Sequence, residues 1–108
     1  MSTAIRSLVI TVSDVEAAKA IYTPLYGAPH TDQPYYVGYN VDGFGVALTP
    51  GGEPSAVTYA DVDDLDAAHA ELVAAGATER TAPRQVGPEA RVSVLADRDG
   101  NPIGLRGR

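Results

Sequence analysis

The sequence contains no cysteine. That excludes a disulfide scaffold, a zinc–thiolate site and a thiol nucleophile. Long apolar runs are missing too: no stretch approaches the roughly 18 apolar residues of a membrane-spanning helix, and the chain start has no basic segment followed by an apolar one. The expected protein has no membrane partner and works in the cytoplasm. Positive charge is scarce, with 8 Lys and Arg against 14 Asp and Glu and a net charge of −6. Such a surface repels phosphate backbones, so nucleic acid is excluded as a partner. Histidine is limited to His30 and His69. There is no His-x-x-x-His spacing and no Gly-x-Ser-x-Gly elbow, which removes the common metalloprotease and serine-hydrolase layouts.

What is present suits a single domain over residues 1–108, with 44% hydrophobic and 20% charged residues. Its pattern is written twice. "TVSDVEAAKAIY" (11–22) and "DVDDLDAAHAEL" (61–72) align at a shift of fifty, matching Val12 with Val62, Asp14 with Asp64, and Ala17, Ala18 and Ala20 with Ala67, Ala68 and Ala70. Each copy follows an alternating apolar stretch, "IRSLVITV" (5–12) and "SAVTYADV" (55–62), and each ends in a glycine, Gly27 and Gly76. Capping boxes are expected at Ser13 with Glu16 and at Asp63 with Asp66. The helical stripes predicted to lie on a sheet are Val15, Ala18, Tyr22, Leu25 and Leu65, Ala68, Leu72, Ala75. Pro24 is expected to tighten or kink the first helix.

After each helix come short strands divided by turn residues: "YYVGYNV" (35–41), the Asp42-Gly43 turn and "FGVALT" (44–49), then "TERTAPRQV" (78–86), "RVSVLA" (91–96) and "PIGLR" (102–106). Asp-Gly between alternating runs is a hairpin signal. "DRDGN" (97–101) also reads as a hairpin turn, since its glycine falls too early for a calcium loop. "PGGEPS" (50–55) reads as a linker between module one, about 1–52, and module two, about 53–108. The predicted fold class is α+β, with two βαβββ modules forming a curved, mostly antiparallel sheet and helices on the outer face.

The stretches "VSDVEAAKAIYTPLYG" (12–27), "VDDLDAAHAELVAAGA" (62–77) and "DRDGNPIGL" (97–105), set in paired modules, resemble the vicinal-oxygen-chelate group. That group includes glyoxalase I, extradiol dioxygenases, fosfomycin-modifying enzymes and bleomycin-binding resistance proteins. In its metal-using members four ligands project from the concave face of the sheet. The resemblance places those four positions at Ser7, Ala47, Val57 and Gly104. None is a good ligand for a divalent ion in this geometry, so the resemblance implies a member without metal or other cofactor. Gly104 is expected to leave room in the cup.

Tyrosine is the positive signal. Strand alternation puts Tyr35 and Tyr39 on one face and Tyr36 on the other, so at least one reaches the cup, and Tyr59 shares a face with Val57. A flat ring with one polar tip suits aromatic or conjugated ligands. The expected ligand-binding set is Ser7, Tyr35, Tyr36, Tyr39, Ala47, Val57, Tyr59 and Gly104. His69 reads as a surface or half-buried residue on the flank of its helix. Sequestration of a small organic molecule is the first functional reading. A metal-independent isomerase, lyase or cyclase, with Tyr59, His30 or Asp61 as acid or base, is the alternative. A degenerate dimerisation or regulatory module is the third. A two-fold homodimer is expected, because these modules carry strand edges that one small chain closes poorly.

Overall fold

A computed structural model describes residues 4–108. Its elements run β1 (Ala4–Val12), α1 (Val15–Tyr26), β2 (Thr31–Gln33), β3 (Tyr36–Val41), β4 (Phe44–Pro50), β5 (Ser55–Asp61), α2 (Leu65–Ala75), β6 (Thr78–Gln85), β7 (Arg91–Ala96) and β8 (Pro102–Gly107). The α+β class and the two βαβββ modules are as the sequence predicts. The chain clusters into two compact units that divide between Val57 and Thr58, inside β5, with Ala4 and Ile5 grouped with the second unit.

In module one the strands lie in the order β2-β3-β4-β1, with β1 parallel to β4 and the other two pairings antiparallel. In module two they lie in the order β6-β7-β8-β5, with β5 parallel to β8 and the other two pairings antiparallel. The helix in each module is the crossover that lets first and last strands run parallel.

Both helices are capped one residue later than expected. Asp14 Oδ1 accepts from the Ala17 backbone N–H at 3.0 Å, and Asp64 Oδ1 accepts from that of Ala67 at 3.1 Å. Ser13 and Asp63 lie just outside the helices. A carboxylate at the N-cap satisfies an otherwise orphaned donor and faces the positive end of the helix dipole. Pro24 is accommodated inside α1. The Asp42-Gly43 turn is of the expected kind: both residues take positive φ, 54° and 86°, which matches the right-handed twist of a tight hairpin.

Each helix covers one face of the strands of its own module. In module one Val15 and Ala18 meet Val37, Tyr39, Val46 and Leu48, with Ile10, Val12, Tyr22 and Tyr26 around them. Leu25, predicted on this stripe, is 71% exposed, and Tyr26 takes its place. In module two Leu65 and Ala68 meet Val62, Leu95 and Leu105, with Leu72 and Ile103 at the margin. Ala75 lies exposed at the helix end.

Candidate functional site

The helix contacts fix which residues face the other way. Val37, Tyr39, Val46 and Leu48 point at α1, so Gly38, Gly45 and Ala47 open on the opposite face. On β1, Ile10 and Val12 join the helix-side core, which leaves Ser7 and Val9 on that opposite face. The register agrees, with Ser7 beside Gly45 and Val9 beside Ala47. In module two Leu105 and Ile103 point at α2, so Gly104 and Arg106 face away, beside Tyr59 and Asp61. Val57 lies two residues before Tyr59 and shares its side of β5. Ser7 and Ala47 thus occupy one helix-free face in module one, while Val57 and Gly104 each occupy a helix-free position on its own strand.

These positions do not suit a metal ion. Ala47, Val57 and Gly104 carry no side-chain donor atom, and Ser7 offers only a neutral hydroxyl. Among the described residues no group of three or more His, Asp or Glu side chains is arranged to hold one.

Gly104 is not open space. A Cβ built there would lie 2.7 Å from the Thr58 carbonyl oxygen and 2.8 Å from Cγ and Cδ2 of Tyr59. The Tyr59 ring is laid directly on the glycine of the neighbouring strand. This corrects the expectation of an emptied cup at residue 104: the residue lacks a side chain because an aromatic ring covers it, an arrangement known as aromatic rescue of a strand glycine. Half-burial pushes the Tyr59 phenol above its ordinary range, while the Arg84 guanidinium pulls the other way more weakly. The ring is therefore a neutral platform at pH 7. Its hydroxyl makes no hydrogen bond within the described residues.

The other tyrosines divide three ways. Tyr39 is fully buried in the helix-side core. Its hydroxyl is 2.9 Å from Thr23 Oγ1, and its ring meets Tyr26 at a centroid distance of 5.7 Å. That removes Tyr39 from the ligand-facing set, because the pleat turns it towards α1. Tyr35 sits in the turn before β3 and is 69% exposed. Tyr36 opens β3 on the helix-free face, and its Cε1 comes within 3.0 Å of where a Cβ on Gly38 would be. Cε1 of His30 lies 2.9 Å from the same point.

His69 departs from its expected place on the helix flank. It is buried, with Nδ1 2.9 Å from Ser93 Oγ and Nε2 2.6 Å from Glu79 Oε2. A Ser–His–Glu chain has the composition of an acyl-transfer triad. However, Ser93 is wholly inaccessible, so the arrangement is a tie between α2, β6 and β7. Arg91 is bidentate to Asp66, at 2.8 and 3.0 Å. Nothing in the sequence flags Tyr59 on Gly104, since the two are brought together only by parallel pairing of β5 with β8. The Tyr-x-Gly spacing of Tyr36 and Gly38 is the readable signal that these two share a face of β3.

Residues 4–105 match the family model of the Glyoxalase/Bleomycin resistance protein/Dioxygenase superfamily. The chain belongs to this superfamily. Solved structures share its fold. Methylmalonyl-CoA epimerase from Mycobacterium tuberculosis is 18% identical, with a TM-score of 0.74, over 95% of this chain and 86% of that one. The Mn(II)-bound glyoxalase from Novosphingobium aromaticivorans is 22% identical, with a TM-score of 0.71, over 95% of this chain and 38% of that one. A superfamily member from Vibrio splendidus 12B01 is 13% identical, with a TM-score of 0.74, over 99% and 100%. No curated protein matches the chain in sequence. No helix among the described residues is long and apolar enough to cross a membrane.

Proposed function

We propose that this superfamily member binds a small aromatic or conjugated organic molecule without a metal, as a sequestering protein. The observation that carries the reading is the Tyr59 ring on Gly104: a fixed, neutral, half-buried aromatic face whose hydroxyl has no hydrogen-bond partner among the described residues. A planar ligand gains by covering apolar area, at about 25 cal/mol per Å², and by stacking, which adds about 0.5–1.5 kcal/mol. The donor-poor set Ser7, Ala47, Val57 and Gly104 supports metal independence. A thermal-shift screen of planar aromatic compounds tests the binding, because a ligand that binds only the folded chain raises its melting temperature. Hits should weaken when Tyr59 becomes Leu. A screen with no hits, or hits indifferent to Tyr59→Leu, refutes the reading. Elemental analysis finding about one zinc, nickel, iron or manganese per chain refutes metal independence.

One observation favours the enzymatic alternative, an isomerase, lyase or cyclase using side chains alone: Nε2 of the exposed His30 has no hydrogen-bond partner among the described residues. Turnover of a screened ligand, abolished in His30→Gln, would decide for it. We further propose a cytoplasmic homodimer with no nucleic-acid or membrane partner. Light scattering that gives a monomer at micromolar concentration would overturn the dimer.

A further inference from the structure

We propose that His30, Thr31, Tyr36 and Gly38 form a proton-exchanging ledge in module one that takes a planar phenol or enol. The four residues come from the α1–β2 connection, from β2 and from β3. The His30 backbone N–H donates to the Gly38 carbonyl at 2.9 Å, so the loop is pinned where β2 meets β3. Thr31 pairs with Gly38 in the antiparallel register. The His30 ring is held at Nδ1, 2.8 Å from Thr31 Oγ1. Its Cε1 and Nε2 lie 2.9 and 3.2 Å from where a Cβ on Gly38 would stand, and Tyr36 Cε1 lies 3.0 Å from that point. A methyl group at 38 would push both rings from where they lie.

A solvent-facing histidine ordinarily samples several rotamers. This one is tied at its backbone N–H and at one ring nitrogen, which leaves Nε2 as the nitrogen available to a ligand. The Thr31 hydroxyl rotates, so it can accept from Nδ1–H or donate to a bare Nδ1. With Thr31 accepting, Nε2 carries the lone pair. A phenol or enol stacked on Tyr36 then passes its hydroxyl proton to Nε2: the O–H bond breaks, an N–H bond forms, and the imidazolium keeps Nδ1–H on Thr31. The proton returns by the reverse path. His30 is the catalytic residue and Thr31 a positioning residue. The site uses no residue of the Tyr59 platform, so either can fail without the other.

The test uses the full chain with 4-nitrophenol, whose phenolate absorbs in the visible. Titration should saturate. It should shift the His30 Cε1–H, Tyr36 ring and Gly38 amide resonances, and raise the phenolate band while His30 gains a proton. His30→Gln should weaken binding about ten-fold, the loss of one good hydrogen bond, and abolish the phenolate gain. Thr31→Val should keep binding within about three-fold yet move the pH at which the phenolate appears, an effect that a merely structural threonine would not have. Gly38→Ala should displace both rings and weaken binding while His30, Thr31 and Tyr36 all remain. His30→Gln and Thr31→Val lie on the surface and keep the fold available should Gly38→Ala lose it. Unchanged binding in His30→Gln overturns the ledge. So does the absence of shifts at His30, Tyr36 and Gly38 at millimolar probe. Shifts confined to Tyr59 and Gly104 overturn the ledge while supporting the module-two platform.

Discussion

The two modules follow one plan with opposite solutions at equivalent places. Val9 lies beside Ala47 where β1 pairs with β4, and Tyr59 lies beside Gly104 where β5 pairs with β8. A medium and a small side chain in one module stand against a large one and none in the other. The helix-to-edge-strand link differs as well. In module one Lys19 on α1 reaches Asp32 on β2 at 3.1 Å, and the pair is exposed. At the equivalent helix position His69 is buried between Ser93 and Glu79. Module one keeps its polarity outside and fills its core with Tyr22, Tyr26 and Tyr39. Module two builds its core from smaller residues and buries a polar tie. The repeat therefore keeps the helix attached to its strands in both halves, and leaves free which residues supply the bulk and the link.

The largest expected effect comes from breaking the buried tie. His69→Leu removes the partner of a fully inaccessible serine hydroxyl and should cost about 2–3 kcal/mol in denaturant unfolding. Adding Ser93→Val, which gives module two the residue type found at Val37, should recover about 1 kcal/mol by deleting the orphan. Lys19→Ala should cost far less than His69→Leu, because the pair it breaks is screened by solvent. Equal losses for Lys19→Ala and His69→Leu would erase the distinction between the two links.

Next is the Tyr59–Gly104 pair. Gly104→Ala forces a methyl against backbone and ring, and should destabilise by about 1–3 kcal/mol. Tyr59→Val relieves the ring clash but not the contact with the Thr58 carbonyl. The double variant should therefore be more stable than the sum of the singles by about 0.5–1.5 kcal/mol. Additive singles would mean that the ring does not rest on the glycine. In the mirrored exchange, Val9→Tyr should be tolerated better with Ala47→Gly than alone.

The caps test the sameness of the halves. Asp14→Ala and Asp64→Ala should each cost about 1 kcal/mol, whereas Ser13→Ala and Asp63→Ala should each fall within about 0.5 kcal/mol of zero.

The repeat, the class and the element order were legible because hydrophobic period and turn chemistry are local. Val15, Ala18, Leu65 and Ala68 sit where their spacing puts them. The cap was misplaced by one residue because Ser13 and Asp14 are both good caps, and only backbone geometry chooses between them. Tyr39 stands in the expected ligand set yet packs on α1, because alternation gives two faces without saying which one meets the helix. Gly104 was misread because its constraint is a ring forty-five positions earlier, brought alongside by parallel pairing. The donor-poor positions are legible from resemblance, whereas Tyr59 in the field of Arg84, and His30 and Tyr36 over Gly38, need coordinates.

The smallest effect separates the modules by pH. In module two the Arg91 guanidinium, bonded to Asp66, holds that carboxyl below its ordinary value of 3.8. The side-chain bond from Asn101, followed by backbone N–H groups, does the same for Asp97. A carboxyl depressed on folding contributes stability that is fully present above its unfolded pKa, and that contribution is lost as pH falls through the lower folded value. In module one the bond from Lys19 to Asp32, then that to Glu16, raises the lysine above 10.5. Its contribution is fully present below the unfolded pKa and is lost as pH rises through the higher folded value. All three groups reach solvent, so each effect is slight and screened by salt. Amide exchange mapped along the chain should show α2 and the β7–β8 turn loosening first below pH 3.8, and α1 with β2 loosening first above pH 10.5. Asp66→Asn and Asp97→Asn should flatten the acid response alone, and Lys19→Gln the alkaline one alone. Loosening of both modules together at either extreme would mean that these exposed pairs do not set the order, and that the electrostatic difference between the halves has no consequence for stability.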